Sequence, residues 1–138
     1  MDIKTLARFF EEHPTQDGYQ FNGRLSPSET PVLQLQVSTL QTHDELPVYI
    51  TATEQQILCI VYLWQDSEIR SETRAELMES MLELNIPMPL SSFARTGEHT
   101  VMFGALHCQS KPQDIIHEVV TLHDNALEAV QALSEYLV

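Results

Sequence analysis

The sequence predicts one α+β domain, with a mainly antiparallel sheet and a long C-terminal helix packed on it. Three observations support this fold class. Residues 57–64 are eight consecutive apolar or aromatic residues, which is strand length and short for a helix. Several shorter segments alternate apolar and polar residues, as half-buried strands do. Residues 112–136 repeat apolar residues at helical spacing over more than six turns.

Length and composition indicate a single domain that spans residues 1–138. A chain of this length buries about two-thirds of its unfolded surface, which suffices for stability without metals or disulfides. The apolar fraction of 43% is ordinary for a globular protein. Cys59 and Cys108 lie in apolar strand patterns and form no CxxC pair, which favours buried thiols in a reducing compartment. The N-terminus has no signal-peptide features, so we expect a cytoplasmic protein.

The N-terminal third predicts a helix and two strands. Asp2 is a suitable N-cap for a helix over Ile3–Glu12, which ends before Pro14 because the residue preceding proline avoids helical backbone. A short strand at residues 19–21 follows the turn signal Asp17-Gly18. The remaining elements are a loop at 26–31, a strand with one polar face at 33–37, and a second loop at 41–45.

The middle of the chain predicts a hairpin that leads into the central strand. Residues 46–53 alternate as a strand, and residues 54–56 are short enough for a tight connection to the run at 57–64. Both faces of that run are apolar. Such a strand belongs in a sheet that is covered on both sides, or in a sheet with an additional partner surface.

The C-terminal half predicts two helices separated by two strands. Ser71 suits the N-cap of a helix that ends near Asn85, before the proline-containing break at 86–89. An edge strand at 90–95 turns into a strand at 100–108. The last helix starts at a capping-box spacing and ends near Tyr136. The predicted capping box is Ser110, Lys111, Pro112 and Gln113.

Charge is the most unusual property of the sequence. Twenty acidic residues face seven basic ones, which gives a formal net charge of −13. Such a surface repels phosphate backbones and anionic headgroups, so we expect neither nucleic-acid binding nor peripheral membrane binding. No segment is apolar for long enough to insert directly into a bilayer. Glutamates form a row on the second helix, and no basic residue follows Lys111.

Catalytic and metal-binding patterns are weak. The six histidines form no HExxH motif, and no GxSxG elbow or glycine-rich phosphate loop is present. We therefore predict no catalytic residue, no metal site and no cofactor. The alternative is a small-molecule or metal-dependent activity in a pocket between sheet and helix, with His107, Cys108 and Cys59 as its polar residues.

Surplus apolar residues on the two later helices predict a surface for a protein partner. The last helix carries a second apolar row beside its main one, and the second helix is rich in methionine, which adapts to varied surfaces. The acidic rows would steer a basic partner. A twin subunit is the other natural occupant, because homodimers are the commonest symmetric assembly. The predicted partner-binding residues are Met78, Met81, Ile116, Val120 and Leu127, with Glu76, Glu79 and Glu83 as the acidic rim.

The order of elements resembles the type III secretion chaperone-like fold, which is shared with YbjN-like bacterial proteins. More closely, the chain is similar to the YjfI-like family of bacterial proteins of unknown function. The residues that carry this resemblance are the strand at 57–64, Glu76-Leu77-Met78-Glu79-Ser80-Met81 and Pro87-Met88-Pro89-Leu90-Ser91-Ser92-Phe93. The resemblance implies a partner of the phage-shock membrane-remodelling type and no residue-level site.

Together, these observations predict a non-enzymatic module that binds a protein partner in a chaperone-like or stress-associated role. A purely structural subunit of a larger assembly is a further alternative, and it predicts aggregation of the isolated chain through an uncovered apolar patch.

Overall fold

A computed structural model describes residues 1–39 and 46–138, so the predicted loop at 41–45 lies outside the described residues. The described residues form a seven-stranded antiparallel sheet and three α-helices, which confirms the predicted α+β class. The helices are α1 (Ile3–Glu12), α2 (Arg74–Leu84) and α3 (Pro112–Ala132). The strands are β1 (Thr15–Gln16), β2 (Tyr19–Leu25), β3 (Leu33–Thr39), β4 (Val48–Ala52), β5 (Gln56–Gln65), β6 (Ser92–Thr96) and β7 (His99–His107).

The strand order is β1-β2-β3-β4-β5-β7-β6. The first five strands follow one another as a meander. The chain then leaves β5, passes through α2 and enters the sheet again at its edge as β6. Strand β7 returns between β6 and β5 and pairs with both. This crossover confirms the predicted edge strand, although β6 starts two residues later than expected.

Strand β5 lies inside the sheet, as the apolar run predicted, and pairs with β4 on one side and β7 on the other. Ile57, Cys59 and Val61 face the core at regular alternation. A register shift between Tyr62 and Trp64 then places Trp64 on the same buried side, which an unbroken strand would not allow.

The described helices cover only one face of the sheet. Phe10 of α1 packs against Phe21 of β2 with 5.1 Å between ring centroids. Helix α3 crosses β5 and β7 and buries its main apolar row on them. The opposite side of β5 stays open, with Tyr62 42% exposed. The apolar run at 57–64 allowed either a sheet covered on both faces or a sheet with an additional partner surface. For the described residues, a sheet covered on both faces is wrong.

Two predicted helix starts are wrong. Residues Ser71–Thr73 form a 3-10 turn, and α2 begins only after Thr73, whose side chain makes no capping hydrogen bond. At α3 the N-cap is Lys111, again without a side-chain bond, and the predicted capping box at Ser110 does not form. Proline at the first helical position explains this start, because its fixed φ suits helix entry and it has no N–H to satisfy.

Candidate functional site

A cleft of about 690 Å³ lies between the end of α2, the segment that follows it, and α3. Its floor is mainly apolar, and its rim carries amides and one carboxylate. This combination is typical of sites that take an apolar group and orient it with a few polar contacts. The cleft is lined by Leu84, Pro87, Met88, Pro89, Phe93, Asn125, Glu128, Ala129, Gln131 and Ala132.

Two asparagines hold the segment after α2 in place. The Oδ1 atom of Asn85 accepts a hydrogen bond from the backbone N–H of Phe93 at 2.7 Å. From α3, the Nδ2 atom of Asn125 donates to the carbonyl of Pro89 at 3.0 Å and to the Ser91 hydroxyl at 3.1 Å. Leu90, between them, has left-handed backbone with φ of 63°, a conformation that non-glycine residues seldom adopt. These hydrogen bonds fix residues 89–93 as one wall of the cleft, which we call the pinned wall. Its backbone is unusual at Leu90.

Exposed apolar side chains cluster beside the cleft. Leu84 is 40% exposed and Ile86 is 89% exposed, and Leu90 is also exposed. Single exposed apolar residues are ordinary, but a contiguous group next to a concave apolar floor indicates an interaction site. These residues lie where α2 ends and the prolines stop the helix, so the fold presents them together.

The electrostatics of the cleft are one-sided. Glu128 lines it, and Glu79 and Glu83 are exposed on α2. Residues 75–94 contain no lysine or arginine, and none follows Lys111. Arg74, at the start of α2, forms an ion pair with Asp66, with 3.6 Å between its guanidinium nitrogen and the carboxylate oxygen. No ion pair among the described residues involves the three glutamates, so the cleft attracts cations.

The predicted partner-binding residues differ in how exposed they are in the structure. Met81 and Ile116 are buried in the core and offer almost no surface. Met78, Val120 and Leu127 are half-buried, whereas Glu76, Glu79 and Glu83 are exposed. Met78 and Met81 line a smaller depression of about 260 Å³ on the other side of α2. The binding role of these residues stays a prediction, with the half-buried and acidic ones as its accessible part.

The second apolar row of α3 is mostly core. Ile116 is buried, and so is His123, which extends the same row. Val120 packs against the core from its rim. Sequence reasoning missed the actual cleft residues on α3, although Asn125, Ala129 and Ala132 recur at helical spacing and mark a face of small side chains.

The three residues of the alternative activity are not brought together. Cys59 lies on the core side of β5, where burial first and the nearby Glu118 second raise the pKa of its thiol to about 12. His107 is exposed at the end of β7 and pairs with Gln56, on the opposite side of the sheet from Cys59. In the described part of the chain, no three His, Cys, Asp or Glu side chains group closely enough to hold a metal ion.

Comparisons with known proteins identify relatives over most of the chain. The family model for "Uncharacterized protein conserved in bacteria (DUF2170)" matches residues 1–137. "Uncharacterized protein YjfI" from Escherichia coli strain K12 is 29% identical over 101 residues, which cover 70% of this chain and 74% of the relative. The same protein from strain O157:H7 matches equally. The predicted resemblance to the YjfI-like family is confirmed.

A solved structure has the same fold. One chain from the heterodimeric complex ExoU-SpcU of the Pseudomonas aeruginosa type III secretion system superposes with a TM-score of 0.58 at 14% identity. The superposition covers 94% of this chain and 95% of that chain. The predicted chaperone-like fold is confirmed. No helix among the described residues is both long and apolar enough to cross a membrane.

Proposed function

The chain belongs to the bacterial DUF2170 family, and we propose that it is a non-enzymatic module that binds a segment of a partner protein in the cleft between α2 and α3. The segment would be a basic, amphipathic one. A cytoplasmic location is part of the proposal, because Cys59 and Cys108 are both free thiols.

One observation carries the proposal: an apolar cleft whose flanking elements have carboxylates and no local basic residue. A partner side chain of leucine size, seated between Leu84 and Ala129, would remove apolar surface on both molecules from water. Lysines or arginines flanking that anchor would meet Glu128 and Glu83. The apolar anchor supplies affinity, and the acidic rim supplies orientation and a faster encounter.

The pinned wall supports the same function. Because Asn125 and Asn85 hold residues 89–93 by hydrogen bonds, the partner would meet a largely formed site and would order little protein on binding. The fold neighbour comes from a heterodimeric complex, so a domain of this architecture assembles with a different protein in that case. A phage-shock-type membrane-remodelling protein, which the family resemblance implies as a partner, is a suitable source of test segments.

The test uses synthetic peptides and fluorescence anisotropy. The probe is a leucine–lysine peptide designed as an amphipathic helix, and its control is a scrambled peptide of the same composition. We expect the amphipathic peptide to bind more tightly, with an affinity that falls as salt rises. Leu84→Ser should raise the dissociation constant roughly tenfold, because a buried leucine anchor contributes about 1.5 kcal/mol or more. Glu128→Gln should weaken binding severalfold and reduce the salt dependence.

Matched controls separate the cleft from general attraction to an acidic protein. Val138→Ser removes another exposed apolar side chain, and Glu29→Gln removes another exposed carboxylate. Both variants should bind the peptide like the parent chain. Equal affinity for the amphipathic and scrambled peptides, or equal effects of Glu128→Gln and Glu29→Gln, would show that the cleft is not a binding site.

A further inference from the structure

The face of the sheet that the described helices leave open is not polar. Across β4, β5 and β7 it carries seven apolar or aromatic side chains, which we call the outer patch. Their alternation and their register across the strands place them on the side opposite the buried residues. None of them belongs to the main cluster of core residues. Six are half-buried or exposed, and Val101 is itself buried, at 3% exposure. The outer patch consists of Tyr49, Leu58, Ile60, Tyr62, Val101, Phe103 and Ala105.

An aromatic row crosses the outer patch. The rings of Tyr49 and Tyr62 meet edge to face with centroids 5.5 Å apart, and Tyr62 meets His99 in the same way at 5.3 Å. These contacts join three adjacent strands. They hold the rings in fixed positions, so a partner that packs on them would lose little side-chain freedom in doing so.

The sheet is also free of carboxylates. None of the twenty acidic residues lies in any of the seven described strands. The acidic residues that the structure describes are in helices and connections instead. Among the described residues of the outer face, Arg24 is the only lysine, arginine, aspartate or glutamate. It pairs with Gln34 in the polar half of the sheet. In a chain with a net charge of −13, the described strands give this face no carboxylate and a single positive charge.

We infer that the outer face of the sheet is the interface between two copies of this chain. Two copies repel each other wherever their carboxylates approach, and this face allows close approach without opposing them. A basic partner would find no carboxylate on the described strands of this face. In a two-fold pair, the apolar half and the amide-rich half of the face each meet a surface of matching character.

The area is sufficient for a stable pair. With ~3.4 Å per residue and ~4.8 Å between strands, the seven strands present on the order of 700 Å² on one side. A standard interface buries about 800 Å² per partner. Two sheets packed face to face would lie about 10 Å apart, with side chains of the outer patch interdigitated.

This interface has a salt dependence opposite to that of the proposed cleft. The outer patch at its centre carries no charged side chain, while the two copies repel at longer range. Added salt screens that repulsion and should strengthen the dimer. The same salt should weaken a basic peptide in the cleft, so the two proposals fail or succeed separately.

Sedimentation of the full chain over a range of concentrations and salt tests the inference. Tyr62→Glu and Ala105→Glu each place a carboxylate on the outer face at an exposed position, where the fold tolerates it. We expect each to raise the dimer dissociation constant tenfold or more, because a carboxylate would be buried between apolar faces. Gln113→Glu, exposed on α3, adds the same charge elsewhere and should leave the dimer intact.

A monomer at every concentration and salt would overturn the inference. So would a dimer that persists in both Tyr62→Glu and Ala105→Glu, or one that salt dissociates. Circular dichroism of the variants shows that loss of the dimer is not loss of the fold, and peptide binding by Tyr62→Glu shows that the cleft is independent of it.

Discussion

The carboxyl group of Glu118 lies directly against Gly104, in the space that a side chain at position 104 would occupy. Glu118 is only 4% exposed and projects from α3 onto the sheet. The carbonyl oxygen of Leu90 is also close, 3.1 Å from where a Cβ of residue 104 would lie. The absence of a side chain at Gly104 is therefore what lets α3 approach β7 with a glutamate at the contact.

Gly104→Ala should destabilise the protein by about 1–3 kcal/mol, because the added methyl group overpacks a buried contact. Urea unfolding measures this change. In the double variant with Glu118→Ala, the carboxyl group is gone, so the combined cost should be smaller than the sum of the two single costs.

Gly23→Ala is the matched control. A Cβ there would meet the flexible Cδ1 atoms of Leu33 at 3.2 Å and Leu35 at 3.5 Å. We expect a clearly smaller loss than at Gly104. Strict additivity of Gly104→Ala and Glu118→Ala would contradict the steric relationship between them.

Glu118→Gln should change how stability depends on pH. Burial raises the pKa of the Glu118 carboxyl above its ordinary value of 4.5, with the neighbouring His117 opposing the shift. The folded chain therefore keeps this proton to higher pH than the unfolded chain does. The free energy of unfolding must fall as pH rises from 4.5 through the raised pKa.

The glutamine variant lacks this titration and should be more stable than the parent at neutral pH. The measurement is urea unfolding of both proteins from mildly acidic to neutral pH. The difference between the two curves should widen as pH rises through that window. Parallel curves would mean that Glu118 titrates normally in the folded protein.

Tyr19→Phe should lower the free energy of unfolding by about 1 kcal/mol, since it removes one partly buried hydrogen bond. The Tyr19 hydroxyl donates to Oδ2 of Asp124 at 2.6 Å and joins β2 to α3 across 105 residues of sequence. Tyr49→Phe is the control, because the Tyr49 hydroxyl has no hydrogen-bond partner among the described residues.

The same bond predicts an alkaline effect. The hydrogen bond to Asp124, then burial, then the Asp124 charge raise the pKa of Tyr19 from 10.0 to about 12. The folded state retains the phenolic proton longer, so stability should fall between pH 10 and about 12 in the parent chain. Tyr19→Phe should lose less stability over that interval, and an equal loss would speak against the bond.

Asn125→Ala should cost about 1–2 kcal/mol, because two hydrogen bonds to the segment after α2 disappear. It should also weaken binding of the amphipathic peptide, since Pro89 and Met88 would no longer be held at the cleft wall. Asn22→Ala, on the exposed side of β2, is the control for both measurements. Unchanged peptide affinity in a destabilised Asn125→Ala would mean that the wall is not part of the binding site.

Part of the candidate site was readable from the sequence. The sequence indicates the acidic row of α2 and the proline break at 86–89, and Pro87, Met88 and Pro89 of that break line the cleft. Met78 and Met81 line the depression on the other side of α2 instead. On α3, the residues predicted to bind a partner differ from those that line the cleft. Ile116 was chosen for its apolar character, but the core takes it, and the groove is lined instead by Asn125, Ala129 and Ala132. Small residues are hard to recognise in a sequence as the lining of a groove, because a groove forms where large side chains are missing.

The sequence by itself determined the identity of most elements and which side of each is apolar. Helix α1, with its start at Asp2, and the well-paired strand β5 follow from side-chain periodicity and from capping and turn residues, which are local properties of the chain. The separation of charge from the sheet is also a property of the sequence, because no acidic residue occurs within the segments that form the described strands.

Only the tertiary structure decided the strand order, the coverage of one sheet face and the shape of the cleft. The two apolar sides of β5 look alike in sequence, and the core side is the one on which α3 packs, much later in the chain. The placement of β7 between β5 and β6 depends on the same long-range path. Periodicity reports which side of an element avoids water, whereas the surface that covers it is set by contacts between residues far apart in the chain.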